Sequence, residues 1–325
     1  MIAVRPSRSF ADLHDLALVL DRHGISSSNW VEVAQRGFSG ARIFTHAAPD
    51  GSSYVLKTTS FRADWIMRAT ADHGCREAAL ARTMSLPGGR VSSPAIVAAR
   101  DGAVFSILMH DISEHLLSND SVDHRQLDAI WCGMVDLHAA TPPSGPVRWC
   151  SLWDRITLFR PDPGRLADFR IGADILRGWR SFFDRAPAPV AGLVRSLFKD
   201  LTPLEQALAE LPGCFLHGDL KLDNIGILPD GTLSLIDWSM PMVAPAAVEL
   251  GWFLAMNSRA LPLSLDEALA AYTSRSGMDP RLRERHESLT VLCGLMIRGW
   301  RKALDAESGH PAELGWWCER AADLL

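Results

Sequence analysis

The 325-residue sequence predicts an α+β chain in two lobes, an antiparallel-sheet N-lobe followed by a mainly helical C-lobe. Three observations carry this. Between Val31 and His110, apolar and polar residues alternate around short Gly- and Pro-containing turns, with helical spacing only in the middle. After Asp111 the apolar residues recur mostly at helical spacing. One exception interrupts that half: residues 216–239, LHGDLKLDNIGILPDGTLSLIDWS, set two apolar runs about a Pro-Asp-Gly turn and carry four aspartates.

Composition bounds the function classes. Hydrophobic residues make up 47% and charged residues 22%, which excludes disordered, fibrous and membrane-embedded classes. A net charge of -5 with no basic block argues against capture of nucleic acid or an anionic membrane, so a small-molecule partner is the default. Cys75, Cys132, Cys150, Cys214, Cys293 and Cys318 are scattered without metal-ligand spacing and read as reduced thiols. The first residues lack the apolar core of a signal peptide and no run reaches membrane-span length, so a cytoplasmic location is expected. Of 33 basic residues only Lys57, Lys199, Lys221 and Lys302 are lysines, which singles out the places where an ammonium is retained.

The elements follow in order. Residues 9–22 put Leu13, Leu16, Ala17 and Leu20 on one helical stripe, with Ser9 and Asp12 as a capping box and Gly24 as a stop. Residues 31–59 fit three antiparallel strands, joined by a Gly-rich turn and a Pro-Asp-Gly turn. Residues 63–86 return to helical spacing as two pieces broken near Gly74. Residues 95–100 and 103–110 read as two more strands about Asp101-Gly102. The boundary between lobes is set at 112, giving an N-lobe of 1–112 with its leading helix and a C-lobe of 113–325. In the C-lobe, helices are expected over 123–140, through the stretch 149–211, and from about 264 to the end.

In residues 216–239 each apolar run delivers an aspartate near its end, and a hairpin between them would bring Asp219, Asn224 and Asp237 together. A carboxylate and an amide carbonyl suit Mg2+, which keeps waters and takes further oxygens from nucleotide phosphates. A second carboxylate off the metal can accept a proton from an attacking hydroxyl. The spacing of five and then thirteen residues between these three is specific.

His217-Gly218-Asp219-Leu220-Lys221-Leu222-Asp223-Asn224 resembles the catalytic loop of the protein-kinase-like superfamily, and Ile236-Asp237-Trp238 resembles its metal-binding segment. Gly218 and Trp238 are similar to the variants of the aminoglycoside phosphotransferase and choline kinase branch. The resemblance covers about residues 30–260 and implies a two-lobed protein-kinase-like fold. It implies Asp219 as the base, Asn224 and Asp237 as Mg2+ ligands, and Lys221 as a contact to the transferred phosphate. Upstream it implies a phosphate-covering loop at Gly37, Phe38, Ser39 and Gly40, a strand lysine at Lys57 for the α and β phosphates, and Glu77 as its partner. The strand that ends in Met109, His110, Asp111 and Ile112 is similar to the hinge that receives the purine. Taken singly, the glycine turn reads equally as an ordinary hairpin loop, Lys57 as a surface strand residue and the hinge as a buried strand. Their joint agreement outweighs each alternative.

Two departures narrow the expectation. Gly218 stands where regulated protein kinases carry a phosphate-sensing arginine, and only eleven residues separate Asp237 from Glu249, too few for an activation loop. Glu249 is read as a structural contact to backbone near the loop. About 70 residues precede the loop, and an acceptor-binding helical insert is expected over about 142–212. Its Trp149, Trp153, Trp179, Phe182 and Phe183 belong either to the pocket or to the core, as do Trp300, Trp316 and Trp317. Asp266, Glu267, Glu284 and Glu287 either meet a cationic acceptor or form a solvated face.

The expected activity is Mg2+-dependent transfer of the γ-phosphoryl of ATP, or of GTP, to a hydroxyl of a small acceptor. An aminoglycoside or other antibiotic heads the acceptors, with an amino alcohol, a sugar or a metabolic acid derivative as alternatives. A nucleotide-binding regulator of the same fold without turnover is the rival from another class.

Overall fold

The computed structural model describes residues 9–10, 12–34, 39–83, 89–145 and 147–323. Helix α1 (His14–Arg22) carries the expected stripe, with Leu16 and Leu20 buried in one cluster with Trp30, Phe44, Leu56 and Leu108. Its start differs from the expected capping box. The helix begins at His14, and its N-cap residue Leu13 makes no side-chain cap. The Asp101 carboxylate instead accepts the N–H groups of Asp15 and Leu16 at 2.8 and 3.2 Å. A carboxylate from a distant strand end serves the unpaired amides of a helix start as well as a local cap does.

Strands β1 (Val31–Val33), β2 (Arg42–Ala47) and β3 (Ser53–Thr59) are the three expected. Helices α2 (Trp65–Ala69) and α3 (Arg76–Thr83) are the two expected pieces either side of Gly74; residues 84–86 of that run lie outside the described residues. Strands β4 (Val91–Ser92), β5 (Ala95–Asp101) and β6 (Val104–His110) complete this part. The five-stranded sheet runs β1-β2-β3-β6-β5, antiparallel throughout. Strand alternation decides what each face carries. Leu56 turns to the α1 side, so Lys57 points to the opposite face, paired in register with Ile43 and Ile107. That face holds a second apolar cluster containing Met67, Ala78 and Phe105.

The remainder is mainly helical. Helix α4 (His124–Ala139) leads into α5 (Leu152–Ile156), α6 (Pro163–Leu166), α7 (Gly172–Arg185), α8 (Ala188–Lys199) and α9 (Thr202–Ala209). Strands β7 (Gly213–Leu216), β8 (Ile225–Ile227), β9 (Leu233–Leu235) and β10 (Met242–Pro245) follow. Helices α10 (Ala246–Asn257), α11 (Leu265–Arg275), α12 (Arg283–Glu307) and α13 (Pro311–Ala322) close the described chain. Strands β8 and β9 form the expected hairpin, its turn held by Asp230, which accepts the Thr232 N–H at 2.9 Å. Two short strands escape sequence reading: β4 pairs parallel with β9, and β10 pairs antiparallel with β7. Two- and four-residue strands are too short to show a period.

Helix α12 is the axis of this half, with α7, α10 and α13 packed on it. Glycines permit the close crossing: a Cβ on Gly251 of α10 would lie 2.4 Å from the Thr290 carbonyl oxygen, and one on Gly294 would lie 2.7 Å from the Gly251 oxygen. Trp179, Phe182, Trp300 and Trp317 are buried in the same core as Trp131 and Phe253, so these four are core residues. No helix among the described residues is long and apolar enough to cross a membrane.

The crossing makes a stability prediction. Gly251→Ala should cost about 1–3 kcal/mol by forcing two backbones apart. Gly315→Ala in α13, where an added Cβ meets nothing within 4 Å, should stabilise by about 0.5–1 kcal/mol. Thermal unfolding of the two variants checks the contrast, and equal midpoints would refute it.

Candidate active site

The loop after β7 is held from three sides. Gly218 has φ +82, and a Cβ there would lie 1.8 Å from the Met240 carbonyl oxygen, so no other residue fits without moving the chain. Its N–H donates to Glu249 Oε1 at 2.6 Å, and its carbonyl oxygen accepts from Arg155 Nε at 2.5 Å. Glu249 Oε2 is joined to His138 Nε2 at 2.9 Å, and His138 Nδ1 to the Tyr272 hydroxyl at 2.6 Å. Further along, Asn257 Oδ1 accepts the Leu222 N–H at 3.2 Å. Glu249 and Asn257 lie eight residues apart on α10, on one face, so a single buried helix grips the loop twice. The backbone contact expected of Glu249 is therefore present.

His217 is buried between two backbone groups. Its Nε2 lies 2.9 Å from the Ile236 carbonyl oxygen, and its Nδ1 accepts the Asp219 N–H at 3.2 Å. These partners require the tautomer protonated at Nε2. Burial lowers its pKa and keeps the ring neutral.

Asp219 is buried, and burial pushes its carboxyl up to about 6 despite the opposing pull of Lys221, with Asp237 adding to the rise. Lys221 Nζ stands 4.0 Å from Asp219 Oδ2 and 3.5 Å from Asp223 Oδ1. Asn224 Nδ2 donates to the Asp219 carbonyl oxygen at 2.9 Å and approaches Asp219 Oδ2 at 3.3 Å. The amide nitrogen is thereby engaged and the amide oxygen is directed elsewhere.

Lys57 reaches across to the hairpin. Its Nζ lies 2.6 Å from Glu77 Oε2 and 2.7 Å from Asp237 Oδ1. Arg76 fixes the start of α3 beside this pair, donating to Thr70 Oγ1 at 2.7 Å, the Thr70 carbonyl oxygen at 2.9 Å and the Arg148 carbonyl oxygen at 2.8 Å. Burial by itself would depress Lys57, but Asp237 and then Glu77 outweigh it and hold the ammonium well above its ordinary range. Burial pushes Glu77 up to about 7 against the pull of Lys57. Asp237 goes the other way, to about 2, because Lys57 and Lys221 outweigh its burial. It adopts φ +63, a left-handed conformation unusual for a non-glycine residue.

Asn224 and Asp237 fit a hard cation by their donor chemistry. One amide oxygen, and the Asp237 oxygen that Lys57 does not take, form an oxygen pair of the kind Mg2+ accepts. Among the described residues no group of three or more His, Cys, Asp or Glu side chains is arranged to hold a metal. A cation bound here would take its other ligands from water and phosphate.

A cavity of about 530 Å³ lies between the sheet and the helices. Ser39, Lys57, Glu77, Met109, His110, Asp111 and Ile112 line it from one side, with Asp219, Lys221, Asn224 and Asp237 from the other. Gly40 does not line it; its backbone packs on Ala63, whose carbonyl oxygen would lie 2.3 Å from an added Cβ. Gly37 and Phe38 lie outside the described residues. Of the helical insert, Leu158, Phe159, Phe169 and Ile171 reach the cavity, whereas Trp149, Trp153 and Phe183 do not line it. Asp266 is taken by Arg320 and the Trp316 indole, and the Glu267 carboxylate accepts the N–H of Ser264, the N-cap of α11. Sequence reading missed Phe159, Phe169, Trp252 and Arg298 as wall residues and Arg155 and His138 as supports. No local spacing marks them, because they converge from α4, the insert, α10 and α12.

Comparison with known proteins agrees with this architecture. The sequence pattern of the phosphotransferase enzyme family matches residues 30–285. A methylthioribose kinase 2 of Oryza sativa subsp. japonica is 26% identical over 186 residues, 53% of this chain and 38% of that protein, so the match spans well under half of the relative. An amicoumacin kinase solved with AMP-PNP, Ca2+ and Ami superposes with TM-score 0.50 at 12% identity, covering 96% of this chain and 95% of that one. The choline kinase of Streptococcus pneumoniae superposes with TM-score 0.50 at 13% identity, over 95% of this chain and 99% of that one. At such identities the structures share the fold.

Lys57→Met should destabilise the protein by about 3–5 kcal/mol, since it leaves two carboxylates without their cation. The loss should be larger near pH 8 than near pH 5.5. Without the ammonium Glu77 rises further above its present value of about 7, so it is neutral in acid and an unpaired buried charge in base. Thermal unfolding at both pH values checks this, and equal losses would contradict it.

Proposed function

The chain belongs to the phosphotransferase enzyme family, and on that premise we propose that it transfers the γ-phosphoryl of ATP to a hydroxyl of a small acceptor, with Mg2+. The observation that carries the reading is the pair of neighbouring carboxylates driven apart in basicity, Asp219 up to about 6 and Asp237 down to about 2, on one cavity wall. Two groups so separated are suited to different tasks.

In this reading Asp219 orients the acceptor hydroxyl and takes its proton as the oxygen attacks the γ-phosphorus. The new P–O bond forms while the bond to the β-phosphate oxygen breaks, and ADP leaves with the electron pair. Lys57 neutralises the α and β phosphates, with Glu77 fixing its position. Lys221, within 4.0 Å of Asp219, offsets the charge on the phosphoryl in transit. Gly37, Phe38, Ser39 and Gly40 belong to the loop assigned to the phosphates, the last with its backbone packed on Ala63. Met109 to Ile112 form the purine-facing edge. Asn224 and Asp237 would hold Mg2+, which supplies charge neutralisation on the phosphate oxygens. Most of the rate comes from position and charge, since the transition state is loose.

Residues 1–112 and 113–325 act as the two lobes, and the insert over about 142–212 contributes acceptor-facing residues such as Phe159 and Phe169. The relatives are kinases of amicoumacin, choline and methylthioribose by name, which supports a small acceptor of undetermined class.

Mg-ATP should raise the unfolding temperature, and a panel of hydroxylated acceptors should yield a phosphorylated product. Stabilisation with no product across the panel would instead identify a nucleotide-binding regulator. Asp219→Ala should reduce transfer by about a thousandfold or more while keeping Mg-ATP affinity; Asp237→Ala should weaken Mg-ATP binding itself. For the wild type, kcat/KM should fall as pH drops through about 6, because the base is the ionised carboxylate and that is its pKa in the free protein. A pH-independent kcat/KM between about 5 and 7, or normal turnover by Asp219→Ala, would remove Asp219 from the role.

A further inference from the structure

The cavity's acids and its apolar wall come from different elements. Its carboxylates are Glu77, Asp111, Asp219, Asp223 and Asp237. Glu77 and Asp237 face Lys57, Asp219 and Asp223 face Lys221, and Asp111 accepts the Ser53 and Ser113 hydroxyls. None of these comes from the insert, α10 or α12. The wall that those elements build is apolar and aromatic, with Phe159, Phe169, Ile171, Trp252 and Met256, and its single charged member is Arg298.

Arg298 has no carboxylate within ion-pair reach among the described residues, and its Nε is buried without a hydrogen-bond partner. Its guanidinium carbon stands 5.8 Å from the Trp252 ring centre and 5.1 Å from that of Trp300. Arg155, fully buried, lies 4.4 Å from the same Trp252 ring, and both of its terminal nitrogens are without partners. The acids nearest Arg298 on the helix side are already shared. Asp305 takes Arg301 at 3.0 Å and Arg259 at 3.4 Å, while Glu313 takes Lys302 and Arg259. Three cations, Arg259, Arg301 and Lys302, therefore already share these two carboxylates. Burial pulls Arg298 down to about 10, with Arg301 adding to the fall, and the group is still charged at neutral pH. Asp219 is among the charges acting on it, so the guanidinium is within electrostatic reach of the loop.

A half-buried guanidinium set against indole rings with no ion-paired anion gains most from a planar carboxylate that accepts two parallel hydrogen bonds. A polyamine would meet like charge at Arg298, and four of the five cavity acids already face Lys57 or Lys221. We propose that the acceptor is a hydroxylated molecule with an apolar or aromatic body and a carboxylate, the carboxylate bound by Arg298 and the body seated among Phe159, Phe169, Trp252 and Met256. This assignment rests on the phosphoryl-transfer reading above and names the substrate class of that site.

The test is calorimetric titration of the protein with Mg-AMP-PNP and then with three probes of one shape: 4-(hydroxymethyl)benzoate, 4-(hydroxymethyl)benzamide and 4-(hydroxymethyl)benzylamine. The benzoate should bind at least about tenfold more tightly than the amide, with the amine weakest. Arg298→Gln should shrink the preference for benzoate over amide to about twofold or less with Mg-AMP-PNP affinity unchanged, and Arg298→Lys should keep part of it. Tightest binding by the amine, no binding of the benzoate at millimolar concentration, or an undiminished preference in Arg298→Gln would each overturn the assignment. Failure to bind Mg-AMP-PNP would count against the kinase reading itself, and that step is measured before any probe is added.

Discussion

A buried ammonium joins the two halves of this molecule. Lys57 lies within 2.7 Å of carboxylates 20 and 180 residues away, Glu77 on α3 and Asp237 just past β9. An ammonium leaves water only where anions meet it, so sheet, helix and hairpin are tied to one point. Several local features serve that point. Arg76 clamps the start of α3 one residue before Glu77, Leu56 on the opposite face turns Lys57 inward, and Asp237 holds a left-handed backbone. The cavity opens beside the same junction.

The loop bearing Asp219 depends on a different kind of support. Helix α10 offers Glu249 and Asn257 to its backbone, and Arg155 takes the Gly218 carbonyl. His138 and Tyr272 extend the network behind Glu249, whose carboxylate stays below its usual range because these hydrogen bonds outweigh its burial. Gly218 had pointed away from phosphate-regulated kinases through the arginine it replaces. Its steric role is as strong, since the Met240 carbonyl occupies the space a side chain would need. Rigid backbone around an acid of raised pKa is what positional catalysis requires.

Charge is partitioned across the cavity in a way that composition hides. A chain with net charge -5 sets four of its five cavity acids beside Lys57 and Lys221, and sets the guanidinium groups of Arg155 and Arg298 against the Trp252 ring. Those arginines come from α5 and α12, about 140 residues apart. A surface average says nothing of such a field, because it is set by which helices face one another.

The sequence by itself determined the α+β arrangement, the five strands of the larger sheet, the Gly74 break, the β8–β9 hairpin and the cluster of Asp219, Asn224 and Asp237. Each of these is written in local periodicity, turn chemistry or short spacing, and residues within one hairpin have few ways to lie apart. Lys57 and Glu77 were legible only through resemblance, as nothing local in SYVLKTT demands a partner twenty residues on. Tertiary structure alone decided the long-range cap from Asp101, the pairing of β4 and β10, and the burial of Trp179, Phe182, Trp300 and Trp317 in the core. It also decided that Phe159, Trp252 and Arg298 share one wall. Side chains from the insert, α10 and α12 become neighbours through helix crossings and glycine contacts such as Gly251 on Gly294, and no period along the chain records which helices will cross.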